Sequence, residues 1–180
     1  MTATALSEDA ERLNHFERLG LPAQFDVDPA ALESRYLGLS AELHPDRFAE
    51  DDDPRRKMLA LRLSAALNDA YRTLKEPFAR GEYLLALRGG QTSEQDRRTP
   101  PGFIEEMLEL RETVDDALAS GRAADAERLV PELTRRRDEL LARLPGQFAA
   151  GRLPDVRLTL NAANYFRKVL AQIRDAALGR

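Results

Sequence analysis

Proline and glycine punctuate the chain into segments whose apolar residues recur at steps of three and four. That is the period of helices that bury one face. Alternating strand patterns are missing, and Val and Ile are scarce beside Leu and Ala, so the expected fold class is all-α. A short first helix is expected over Asn14 to Leu19, stopped by Gly20, Leu21 and Pro22. A second starts at Asp28-Pro29, with Asp28 as cap and Pro29 at the first helical position. Its stripe is Leu32, Tyr36, Leu39 and Leu43, and Pro45 ends it. After a polar loop from Asp46 to Asp53, the start signal repeats as Asp53-Pro54. The third stripe is Leu59, Leu63, Ala66, Ala70 and Leu74. Two amphipathic helices of similar length then pack as an antiparallel hairpin. Their loop of about ten residues is longer than the usual 2–8, and long loops often carry function.

Pro77 interrupts the third helix, and Phe78 to Leu87 forms another, with Tyr83, Leu84 and Leu87 available for packing. Gly89-Gly90-Gln91-Thr92-Ser93 has the composition of a linker, which sets a domain boundary within residues 89–99. In the second half, one helix runs from Phe103 to Ala119 and closes at Ser120-Gly121. Another runs from Ala123 to Leu144, kinked or split by Pro131 and closed by Pro145-Gly146. A last one runs from Pro154 to Leu178. Short connections between them suggest a three-helix bundle.

Composition removes whole classes of chemistry. Among 180 residues there is no cysteine, which excludes disulfides, thiolate metal sites, cysteine nucleophiles and cysteine-held iron–sulfur clusters. His15 and His44 are the two histidines, too few for a multi-histidine metal site. The formal net charge of −4 argues against a nucleic-acid partner. The basic run Arg135-Arg136-Arg137 reads as a solvated face. No apolar stretch approaches the roughly 18 residues of a membrane span, and Met1 to Glu11 lacks a signal-peptide pattern. His15 opens the first helix as a capping or surface residue with no site role.

His44-Pro45-Asp46 follows an amphipathic helix directly and opens the long loop. Pro45 fixes its own φ and restricts His44, so the chain leaves the helix in a set direction. His44 lies at a helix C-terminus, where the dipole favours an imidazolium. Asp46 offers a carboxylate suited to a charge-assisted pair with an arginine. A base–acid reading of His44 and Asp46 lacks a serine or cysteine partner, and no glycine-rich loop exists to cradle phosphates. The tripeptide, placed between two matched helices with a short helix before them, resembles the J-domain. That resemblance implies contact of His44, Pro45 and Asp46 with a heat-shock-70-class chaperone and stimulation of its ATPase, with Arg35 and Arg47 as supporting cations. J-domains usually present a basic second helix. Here Arg35 is nearly alone, offset by Glu33 and Glu42, with Arg47, Arg55, Arg56 and Lys57 in or beyond the loop.

The resemblance narrows. His15-Phe16-Glu17-Arg18-Leu19-Gly20-Leu21-Pro22, the stretch Leu67 to Pro77 continuing to Leu85, and Leu108-Glu109-Leu110-Arg111-Glu112 are similar to the iron–sulfur co-chaperones of the HscB type. This implies an L-shaped molecule: a J-domain over 13–88, packed on a C-terminal scaffold-binding domain over 100–180, joined by 89–99. Residues 1–12 are expected to form a flexible N-terminus. The implied partners are an HscA-type chaperone and an IscU-type cluster scaffold, in the cytoplasm. No enzyme activity, cofactor, metal, nucleic acid or membrane is implied.

The helix over Phe103 to Ala119 carries its own signal. Phe103, Met107, Leu110, Val114 and Leu118 form one stripe, the expected core side. Ile104 and Leu108 fall outside it, and beyond them lie Glu105, Glu109, Glu112 and Asp116. An apolar pair beside an acidic face suits a partner surface with a charged rim. The resemblance carries Ile104, Leu108, Glu109, Glu112 and Asp116 onto scaffold-binding positions, and Glu105 stands where the family often has methionine. Tyr165, with Phe166 beside it, matches the aromatic that the last helix adds. A J-domain adaptor for a different client remains the alternative.

Overall fold

The computed structural model describes residues 6–48 and 52–179. Among them the regular structure is helical, without strands. The chain divides into two compact units, Met1–Tyr83 and Leu84–Arg180.

The first unit holds α1 (His15–Arg18), α2 (Pro29–Glu42), α3 (Pro54–Lys75) and most of α4 (Pro77–Leu87). Each start is set by its cap. Asn14 closes a capping box on α1: its Oδ1 accepts from Phe16 N and Glu17 N, and Glu17 Oε2 accepts from Asn14 N at 2.9 Å. Asp28 and Asp53 each accept an N–H from two residues on, at 2.9 Å, with proline at the first helical position of α2 and α3. Residues 8–12, expected within a flexible N-terminus, form a 3-10 turn, and Glu11 pairs with Arg62 of α3 at 2.7 Å.

The stripe of α3 sits slightly round from its expected place. Ala60, Leu63, Leu67, Ala70 and Leu74 are buried, whereas Leu59 and Ala66 are half-buried. The helix packs against both α1 and α2, so its buried face is broader than one neighbour requires. Far from the long loop, aromatic and polar groups fasten the hairpin. Tyr36 stacks on Tyr71 at 4.0 Å and its hydroxyl donates to Asn68 Oδ1 at 2.8 Å. Tyr71 donates to Glu33, which also faces Lys75 at 3.8 Å. Glu33, which sequence reading set against Arg35, thus has a cation of α3 beside it.

The second unit is organised around α9 (Leu153–Ala177). Against it pack α5 (Phe103–Ala119), α6 (Ala123–Glu127), α7 (Val130–Leu141) and α8 (Leu144–Ala149). Val156, Leu160, Phe166, Val169 and Ile173 of α9 meet Met107 and Val114 of α5 and Leu133 and Leu140 of α7 in one core. The expected helix from Ala123 to Leu144 is therefore two helices, α6 and α7, and α8 begins where it was expected to end. Pro131 and Pro145 each sit in the first turn of a helix, where a missing N–H costs nothing. Pro131 splits the expected helix, as one of the two readings had it, by starting α7, and Pro145 starts α8 instead of closing a longer helix.

The stretch read as a linker is held against α9. Gly89, at φ 76°, closes α4, and Gly90 donates to Leu85 O at 2.9 Å. A Cβ on Gly90 would fall 2.1 Å from Leu85 Cδ1, so any larger residue there would force the Leu85 side chain to move. Asn161 Nδ2 then donates to Asp96 O at 2.8 Å and Arg98 O at 2.7 Å. Asp96, 6% exposed, accepts from Arg98 Nε, Nη2 and backbone N. These Arg98 side-chain and backbone bonds hold its carboxyl down to about 2, from an ordinary 3.8. A depressed carboxyl stabilises the folded state above its unfolded pKa and loses that contribution as pH falls through the folded one. The segment is thus expected to loosen between about pH 4 and pH 2. An acid titration followed by circular dichroism checks it: Asp96→Asn should flatten that part of the curve, and an unchanged curve would contradict it.

Candidate functional site

Two surfaces collect the residues singled out in the sequence. The first is the end of the hairpin where α2 stops. Leu43 caps α2, and Pro45–Phe48 turn as a single 3-10 helix. His44 anchors the turn twice: its carbonyl accepts from Arg47 N at 3.0 Å, and its Nδ1 accepts from Asp46 N at 3.3 Å. Asp46 Oδ2 lies 3.5 Å from the same Nδ1. The His44 side chain is 56% exposed and that of Asp46 is 89% exposed. An imidazole ring and a carboxylate are thereby displayed together on a short, hydrogen-bonded hook. Arg47 folds back to Ala41 O at 3.4 Å, and Arg35 is exposed on α2. Met58 and Leu61 of α3 are also about half exposed, an apolar feature the sequence reading had not singled out.

The second surface is the outer side of α5. Phe103, Met107 and Val114 are buried, and Leu110 and Leu118 are half-buried. Ile104 is 48% exposed and Leu108 60% exposed, on a helix whose core side is already occupied. Glu105, Glu109, Glu112 and Asp116 are all exposed beyond them. Tyr165 lies half-buried at the edge of this face: its hydroxyl donates to Met107 O at 3.0 Å, and its ring meets Phe103 edge-on at 5.9 Å. Phe166 does not belong to the surface. One residue further round α9, it is 1% exposed, with Phe103 at 5.8 Å and the Arg136 guanidinium 4.8 Å over its ring. Adjacent helical residues point about 100° apart, so only one of the two aromatics can reach the outside.

The sequence reading missed a notch of about 170 Å³ beside that face, lined by Arg111, Tyr165, Lys168, Val169 and Gln172. The steps of three and four from Tyr165 to Gln172 mark one side of α9 and were its available signal.

The remaining polar features are structural. His15 is neither a cap nor a free surface group: Asn14 caps α1, the His15 ring stacks on Tyr83 at 4.1 Å, and the His15 backbone N–H donates to Tyr83 Oη at 2.9 Å. Burial lowers its pKa, only partly opposed by Asp69. The basic run is ion-paired: Arg135 with Glu132 and Glu139, Arg136 with Glu106 and Arg137 with Asp138. Among the described residues no group of three or more His, Asp or Glu side chains could hold a metal, and no helix is long and apolar enough to cross a membrane.

Helical structure among the described residues, a His44-Pro45-Asp46 turn at the end of a helical hairpin, and an exposed apolar pair beside an acidic face on α5 together have the form of an adaptor of the co-chaperone class. Residues 99–174 match the family described as the HSCB C-terminal oligomerisation domain. The chain is 40% identical over 132 residues to the co-chaperone protein HscB homolog of Burkholderia multivorans, covering 73% of each. It is 39% identical over 142 residues to that of Vibrio cholerae, covering 76% of this chain and 81% of the relative. Among solved structures it resembles chaperone HscB from Vibrio cholerae, with TM-score 0.76 and 32% identity over 91% of this chain and 96% of that one. It also resembles the human co-chaperone HscB, with TM-score 0.81 and 25% identity over 94% and 84%. The chain belongs to the HscB co-chaperone family.

Proposed function

We propose that this co-chaperone binds an iron–sulfur cluster scaffold through α5 and Tyr165, and delivers it to a heat-shock-70-class chaperone. The hook His44-Pro45-Asp46, aided by Arg35 and Arg47, stimulates that chaperone's ATPase and so promotes cluster transfer. In this reading residues 13–88 are the J-domain, 100–180 the scaffold-binding domain and 89–99 their connection. The protein acts by binding and does no covalent chemistry of its own.

The observation that carries the reading is the pair Ile104 and Leu108, left about half exposed or more on a helix with a complete core side and an acidic rim. Such a pair is costly to leave in water unless something covers it, at roughly 25 cal/mol per Å² of apolar surface. Hydrophobic centre and charged rim are the usual anatomy of a protein interface.

Calorimetric titration with the purified scaffold of the same cell tests it. Saturable one-to-one binding is expected, weakened about 30-fold by Leu108→Ala, the loss typical of a central interface residue worth about 2 kcal/mol. Absence of binding, or binding that Leu108→Ala leaves untouched, would overturn the assignment of this face.

A further inference from the structure

The docking face of α5 has two differently charged edges. Around the helix at about 100° per residue, the buried positions Met107 and Val114 give way to Arg111. Next come Ile104, Asp115 and Leu108, and only then Glu112, Glu105, Asp116 and Glu109. The exposed apolar pair therefore lies between a basic edge and an acidic one.

α9 builds up the basic edge. The Tyr165 hydroxyl on Met107 O, at 3.0 Å, and Gln172 Nε2 on Asp115 Oδ1, at 2.7 Å, lock α9 to this side of α5. Between those two ties lies the notch of about 170 Å³. Lys168, one turn from both Tyr165 and Gln172, adds an ammonium to the Arg111 guanidinium in its lining. It is the only lysine beyond Lys75. Asp115 takes Arg111 Nε at 3.4 Å and offsets one of the two cations. Two cations against one carboxylate leave the notch net positive. Both cations are largely in solvent, with 63% of the Arg111 side chain exposed. The space exceeds that of several waters, at about 30 Å³ each, and admits a carboxylate with its methylene stem.

We infer that this notch receives a carboxylate side chain of the protein that docks on Ile104 and Leu108. The inference rests on the assignment of the α5 face to the scaffold. The partner surface then carries an apolar centre, basic groups opposite Glu105, Glu109, Glu112 and Asp116, and an acidic side chain opposite Arg111 and Lys168. A bipolar face fixes orientation as well as partner: a partner turned end for end, or one uniformly basic, brings like charges together.

The test is calorimetric binding of the scaffold to the full chain carrying Arg111→Glu or Lys168→Glu, beside Leu108→Ala and the parent. Circular dichroism confirms folding, and Lys168→Ala serves as a milder variant. Each reversal is expected to weaken binding about tenfold and Lys168→Ala about threefold, in line with one charge pair at a solvated rim. Unchanged affinity in the reversals, with binding weakened about 30-fold in Leu108→Ala, would overturn the notch and leave the α5 face standing. Tighter binding in the reversals would overturn it more directly, since a wholly basic partner is relieved when the two cations go. Unchanged binding in Leu108→Ala would instead overturn the face itself, and the notch with it.

Discussion

Replacing His44 by Gln is expected to reduce stimulation of the paired heat-shock-70-class ATPase by about 30-fold or more, the cost of breaking a desolvated hydrogen-bonded contact of about 2 kcal/mol. The reason lies in the geometry of the turn. His44 accepts the Arg47 N–H through its carbonyl and the Asp46 N–H through Nδ1, so one residue both ends α2 and aims the next carboxylate. Gln keeps the backbone bond. Its amide sits on a longer, more flexible stem, cannot hold the Asp46 N–H in the same place and offers no ring to the partner. Asp46→Asn makes the complementary change, keeping shape and removing charge, and should lose stimulation comparably. Because the His44 side chain is 56% exposed, both variants should keep the parent's helical circular-dichroism spectrum and its unfolding midpoint. A steady-state ATPase assay of the chaperone, with and without scaffold, reads the effect. Full stimulation by His44→Gln would remove the hook from the mechanism.

How much of this was legible beforehand follows from how local each signal is. The caps at Asp28 and Asp53, the prolines after them and the hook at His44 are written in a few adjacent residues. They appeared where the sequence placed them. The split of the middle helix at Pro131 was legible, but the start of α8 at Pro145 was not, because a proline is compatible with both a stop and a first turn. The choice belongs to the packing of α6, α7 and α8 on α9. The stripe of α3 was blurred for a similar reason: Leu59 and Ala60, and Ala66 and Leu67, are apolar neighbours. Tertiary contact with α1 as well as α2 selected Ala60 and Leu67. Sequence spacing isolated Ile104 and Leu108 on α5, since a single helix carries that pattern. It could not show Arg111 beside Lys168, which are 57 positions apart and meet only because α9 folds back on α5.

The ambiguity between Tyr165 and Phe166 has the same origin, and it yields the sharpest separation of stability from binding. Phe166→Ala removes a ring that is 1% exposed, edge-on to Phe103 and under the Arg136 guanidinium. It is expected to cost about 3–5 kcal/mol of folding stability, the usual range for deleting a buried phenylalanine. The molecules that remain folded should bind the scaffold as the parent does. Leu108→Ala does the opposite. The side chain is 60% exposed, so its removal leaves no cavity. Alanine is also at least as good a helix former, and the stability change should stay within about 0.5 kcal/mol. Scaffold binding should nevertheless weaken about 30-fold. Urea unfolding of both variants, set beside their calorimetric titrations, gives two independent axes. Parent-like stability with lost binding in Phe166→Ala would return that ring to the docking surface. A large loss of stability in Leu108→Ala would mean that the side chain belongs to the core. Tyr165 stands between the two: its ring borders the face while its hydroxyl holds Met107 O. Tyr165→Ala should therefore lose some of both, and Tyr165→Phe, which keeps the ring, should retain most of the binding.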